Sequence, residues 1–130
     1  MDEDDILSVV EKTCDPDSTH GNWISKYDIV ESSDSLSIIE QDSQSRCRQE
    51  CKTIAKACEE SIGEIDTDLG ELLWKDDLSL SKLVNKVCYE MTNVCSKKIP
   101  KYKPGKRKDE LFKAMSEDEK EADDMMKKMR

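Results

Sequence analysis

The sequence predicts a mainly helical domain, stapled by disulfides and interrupted by one small β-hairpin. Three observations carry this. Six cysteines, Cys14, Cys47, Cys51, Cys58, Cys88 and Cys95, all fall within the first 95 of 130 residues. Apolar residues recur at helical spacing on both sides of the chain's middle. Residues 23–40 are instead rich in aromatic and β-branched side chains, which suits a pleated surface. Staples are expected because only 35% of residues are apolar while 39% are charged. So little apolar material makes a thin core, and small domains in that position are commonly cross-linked. An even cysteine count at this density also points to an oxidising compartment.

Residues 4–12 read as a short helix with Ile6, Val9 and Val10 on one face and acidic residues at its start, where the helix dipole favours them. Residues 15–22 (DPDSTHGN) form a loop by composition. Residues 23–31 (WISKYDIVE) and 36–40 (LSIIE) read as two strands joined by a turn at 32–35 (SSDS). From 42 to 62 the period becomes helical: Cys47, Cys51, Ile54, Ala55, Cys58 and Ile62 form one stripe that Gly63 ends. Asp66 or Thr67 is expected to cap a short helix holding Leu69, Leu72, Leu73 and Trp74. Asp76, Asp77 and Ser79 open the next helix. Its pattern, Leu80, Leu83, Val84, Val87, Cys88, Met91, Val94 and Cys95, is the cleanest amphipathic run in the chain. Residues 97–108 (KKIPKYKPGKRK) read as an extended basic linker. Ser116 with Glu119 resembles a capping box ahead of a marginal helix or disordered tail containing Met125, Met126 and Met129. The expected organisation is one domain over 1–98 and a charged linker and tail over 99–130.

Several function classes are disfavoured. Thirty acidic and 21 basic residues give a net charge of −9, against nucleic acid and against anionic lipid. The only histidine is His20, and no Cys-x2-Cys pair occurs, so no metal site and no cofactor are expected. One loop histidine cannot support a serine, histidine and acid trio. No apolar run reaches membrane-spanning length. Met1 is followed by Asp2, Glu3, Asp4 and Asp5, the opposite of a signal peptide. Disulfides without a signal suggest a mature or shortened form.

Cysteine spacing suggests a wiring. Cys47 and Cys51 are one helical turn apart, and Cys88 and Cys95 two turns apart. Two antiparallel helices could be joined at two levels, Cys47 to Cys95 and Cys51 to Cys88, leaving Cys14 for Cys58. Six cysteines allow fifteen connectivities, so this is a geometric preference only. The oxidoreductase signature, Cys-x-x-Cys at a helix start after a strand, is absent. The closest spacing is Cys-x3-Cys in the expected helix interior.

The run from Asp42 to Ile62 (DSQSRCRQECKTIAKACEESI) resembles the last-but-one cysteine helix of the canopy family, saposin-like proteins of the endoplasmic reticulum. Residues 83–95 (LVNKVCYEMTNVC) resemble that family's final cysteine pair, and residues 6–14 (ILSVVEKTC) its third cysteine at a helix end. A β-rich insertion follows there in the family too. The resemblance covers roughly residues 4–98. It implies a helical saposin-like fold with a hairpin insertion, residence in the endoplasmic reticulum lumen or secretion, and no catalytic activity. It also implies work with a lumenal chaperone in maturing receptor clients. Carried over, Cys14 and Cys58 match the central pair and Cys88 and Cys95 the last two. The family's first helix with its Cys-x-x-Cys, whose cysteines pair with the last two, is missing, while Cys47 and Cys51 look like additions. Lys108-Asp109-Glu110-Leu111 spells a retention signal, but such signals are read only at a C-terminus. The expectation is a non-enzymatic adaptor or co-chaperone binding protein partners. A saposin-type lipid binder is the alternative and a thiol oxidoreductase the third reading.

Overall fold

The computed structural model describes residues 2–33, 35–96 and 109–129. Within them the chain is mainly helical, with one two-stranded antiparallel hairpin and two disulfides. Helix α1 spans Glu3–Lys12. Asp2 caps it, its carboxylate accepting from the Asp5 N–H at 2.8 Å, and Glu3, Asp4 and Asp5 fill the dipole-favoured first turn. Its main packing partner is α3, Asp66–Lys75. The two helices approach closely at Gly70, where a Cβ would sit 3.4 Å from Leu7 Cδ1.

The expected strand from residue 23 begins later. Asn22–Lys26 form a 3-10 turn, and β1 is Tyr27–Glu31. The turn is imposed from upstream: Gly21 N–H donates to the Ser18 carbonyl and Ile24 N–H to the Gly21 carbonyl. Any side chain at residue 21 would overlap the Asp15 carbonyl, which only glycine avoids. The turn drives Ile24 into the centre, where it is fully buried. Trp23 stays partly exposed, edge-on to Tyr27 with centroids 5.9 Å apart, and its Nε1 donates to the Thr13 carbonyl at 2.9 Å. Strand β2, Leu36–Glu40, pairs antiparallel with β1 from Tyr27 opposite Glu40 to Glu31 opposite Leu36. β1 is half-buried and β2 exposed along its whole length.

Helix α2 runs Gln49–Ile62, starting seven residues after the expected 42. The intervening chain is claimed by other partners. Buried Ser45 donates its N–H and hydroxyl to the Ser25 carbonyl, both at 3.0 Å, and also bridges Ala114 as an isolated antiparallel pair. Cys47 therefore lies before the helix, not on its face. In α3 the N-cap is Ile65, because the Asp66 carboxylate turns to the neighbouring Thr67 N–H at 2.8 Å. Asp76, expected to open the next helix, ends α3 instead in a left-handed conformation at φ 49°. Ser79 does cap α4, Leu80–Asn85, accepting from the Lys82 N–H.

The long amphipathic helix expected to reach Cys95 widens into a π-helical turn over Lys86–Met91 and stops. Thr92 ends it by giving both its N–H (3.0 Å) and its hydroxyl (2.8 Å) to the Val87 carbonyl. The basic stretch 97–108 lies outside the described residues. Beyond it the chain is docked, not a free tail. Met115 N–H donates to the Gln44 carbonyl at 2.8 Å, and helix α5, Glu117–Lys128, carries the expected Ser116/Glu119 capping box. The apolar core is as thin as the composition demands: among the described residues only Val10, Cys14, Ile24, Cys51 and Leu69 are buried hydrophobics.

Candidate functional site

The cysteines sort into two structural bridges and one thiol pair. Cys14, at the end of α1, is joined to Cys58 on α2 across 44 residues of sequence. This ties the α1–α3 pair to the middle of the chain, and Cys14, like Val10 and Ile24, is buried. The expected bridges Cys47–Cys95 and Cys51–Cys88 are corrected: Cys47 is joined to Cys51, with Cα atoms 5.0 Å apart. Two features decide this. Cys47 precedes the helix and folds over its first turn, within disulfide reach of Cys51. The α4–π segment does not pack extensively on α2, as lacing the two together would require.

Cys88 and Cys95 are the free cysteines among the described residues, Cys88 half-buried and Cys95 exposed. The Cys95 N–H donates to the Cys88 carbonyl at 3.4 Å. Burial first, and then the hydrogen bonding and charge of the neighbouring Cys95 side chain, push the Cys88 thiol pKa up. An unbroken α-helix would hold residues seven apart roughly 10 Å along its axis. The backbone bond between residues 95 and 88 therefore depends on the chain reversing after Met91.

Around this pair the α4–π segment leaves apolar surface in the open. Leu80, Val84 and Tyr89 are 76, 50 and 55% exposed, and Val94 is partly so. The segment packs extensively on no other element. It faces the end of α2 across a cleft of about 460 Å³, with Glu60 and Glu64 on one side and Tyr89, Glu90 and Val94 on the other. A second cleft of about 350 Å³ separates Lys86 and Met91 from Leu72 and Lys75 of α3.

Sequence reasoning missed a carboxylate clasp at the other end of α2. Glu50 is nearly buried, and its carboxylate accepts from Ile29 N–H at 2.9 Å and Glu110 N–H at 3.1 Å. The Glu110 carboxylate answers by accepting from Gln49 N–H at 3.2 Å and Glu50 N–H at 3.4 Å, capping α2 in place of Arg48. Arg48 supports it, with its guanidinium on the Leu111 carbonyl and 3.9 Å from the Glu110 carboxylate. The apparent retention sequence is thus a structural element: its Glu110 serves as a helix cap, while Lys108 lies outside the described residues. No local signal in the sequence joins residues 50 and 110.

Among the described residues no group of histidine, cysteine and acidic side chains could hold a metal ion, and no helix is long and apolar enough to cross a membrane. Comparison with known proteins returns nothing: no family model, no curated protein and no solved structure matches the chain.

Proposed function

We propose that this chain is a non-enzymatic adaptor or co-chaperone of the canopy type, saposin-like in organisation, which binds client proteins in the endoplasmic reticulum lumen or after secretion. The observation that carries the reading is the unpartnered α4–π segment. A helix that is amphipathic by sequence, yet leaves Leu80, Val84 and Tyr89 exposed, offers the apolar stripe that helix-in-groove recognition uses. Its acidic surroundings favour a partner with basic residues flanking an apolar patch. Two disulfides in a thin-cored domain support an oxidising compartment.

The test is cross-linking from position 80 or 84 in lumenal extract, with Leu80→Asp/Val84→Asp as control. Capture of a lumenal chaperone or a maturing receptor by the wild-type chain, lost in the double variant, supports the reading. Binding to neutral liposomes at acidic pH with no protein capture replaces it with the lipid-binding one.

A further inference from the structure

We propose that the outer edge of strand β2 is a docking surface for an extended, basic segment of a partner protein, which adds to the hairpin as a third, antiparallel strand. The inference rests on a different surface from the adaptor reading above, and its failure leaves that reading standing.

The ladder fixes which backbone groups point outward. Gln41 N–H donates to the Lys26 carbonyl and Ser32 N–H to the Ser35 carbonyl, both at 2.8 Å. In an antiparallel pair, bonded and non-bonded residue pairs alternate. With Tyr27 opposite Glu40, the bonded pairs between those two ends are Asp28 with Ile39 and Val30 with Ser37. The N–H and C=O groups of Ile29 on β1, and of Leu36, Ile38 and Glu40 on β2, therefore point away from the neighbouring strand. On β1 this outer edge is in use, since the Glu50 carboxylate accepts from Ile29 N–H at 2.9 Å. On β2 it is open. Among the described residues β2 pairs with β1 alone, and it is exposed along its whole length.

Exposed edges usually carry a lysine, a proline or a bulge that keeps further strands from adding. Strand β2 has none of these: its sequence is LSIIE, and its register with β1 runs without a bulge. Leu36 and Ile38 lie on one face of the hairpin and Ile39 on the other, and they are 42, 63 and 46% exposed. Strand addition draws affinity from main-chain bonds and specificity from the alternating side chains, and this edge offers both.

Charge selects the occupant. From residue 27 to residue 45 there is no lysine, arginine or histidine, while Asp28, Glu31, Asp34, Glu40 and Asp42 are acidic. A second copy of β2 would lay the same acidic set alongside, with −9 on each chain, so self-pairing works against repulsion. A basic strand instead sets a lysine opposite Glu40 and β-branched residues opposite Ile39 and Ile38, which are favourable cross-strand pairs.

The test probe is the peptide acetyl-KVVTVK-amide, whose first lysine faces Glu40 and whose second valine faces Ile38 in the antiparallel register. Amide hydrogen exchange is read by NMR on the isotope-labelled chain. The peptide should slow exchange several-fold at Leu36, Ile38 and Glu40 together. N-methylation of the valine facing Ile38 removes the donor to the Ile38 carbonyl and should abolish the effect. N-methylation of the valine facing Ile39, whose N–H points away from β2, should preserve it. The peptide acetyl-EVVTVE-amide should bind several-fold more weakly, and added salt should weaken the lysine peptide. Ile38→Lys should also weaken it several-fold while exchange at Ile29 stays as in the wild type. Unchanged exchange at the three amides, or equal effects of the two N-methyl peptides, overturns the docking edge. Equal binding of the lysine and glutamate peptides overturns the basic partner. Slowed exchange without peptide that grows with protein concentration, alongside a dimer in sedimentation, gives the edge to a second copy and overturns the proposal. The N-methyl comparison uses the wild-type chain throughout, so a misfolded variant cannot decide the outcome.

Discussion

Asp76 is the one non-glycine residue with positive φ among those described, at 49°. Aspartate tolerates the left-handed region better than most side chains, but glycine enters it without the Cβ clash. Asp76→Gly should therefore stabilise the fold by about 0.5 kcal/mol, read as a higher urea midpoint with an unchanged slope. Glu119 is a second residue whose surroundings make a measurable statement. The Arg46 guanidinium, first, and the Ser116 N–H hold its carboxyl below the usual range. A lowered folded-state pKa means the pairing stabilises above the unfolded carboxylate's pKa and is lost as pH falls through the folded value. Wild type and Glu119→Gln should accordingly differ in stability at neutral pH and converge in acid. A constant difference across that range would remove Glu119 ionisation as the cause.

Elements were legible where a local pattern determined them. The acidic start of α1, the β2 run, the α2 stripe from Cys51 to Ile62 and the Ser116/Glu119 box each carry their own instruction, and each formed. Elements were misjudged where a distant partner decides. Residues 42–48 have a helical pattern, yet Ser45 is held extended by Ser25 and Ala114. The stripe through Cys95 is helical on paper, but Thr92 stops it with its own hydroxyl. The Glu50–Glu110 clasp is the clearest case, since two acidic residues sixty apart act as caps for one another's backbone. Hydrogen bonds to charged groups contribute more than neutral ones, so Glu50→Ala should cost about 2–3 kcal/mol. Glu110→Ala should cost about 1 kcal/mol, as a lost N-cap does. In either variant, hydrogen exchange should quicken at Ile29 and over residues 109–116 together. A change confined to one of these regions would show that the clasp does not couple them.

Over the whole molecule, the expectation of a mainly helical, disulfide-bonded domain with a hairpin holds, and the wiring is where it departs. Spacing alone suggested two antiparallel helices laced by Cys47, Cys51, Cys88 and Cys95. The lacing fails because it presumes that α2 and the α4–π segment pack face to face, something that no periodicity encodes. The two bridges that do form close loops of very different length. Loop closure restrains the unfolded chain more for longer loops, so removing Cys14–Cys58 should cost about 2 kcal/mol more than removing Cys47–Cys51. Paired serine variants compared by thermal unfolding give this difference directly. Equal losses would mean that local geometry, not chain entropy, sets the worth of each bridge.

The clasp also has a consequence for the residues beyond 108. With Glu110 seated on α2 and Met115 bonded to Gln44, the residues that follow the basic stretch are held to the rest of the protein by contacts of their own. The seven lysines and arginines of that stretch are the residue types at which trypsin-like proteases cut. A single nick there would divide the covalent chain without dividing the protein. The two fragments would travel together through gel filtration and part only in denaturant, with the C-terminal piece behaving as a small subunit.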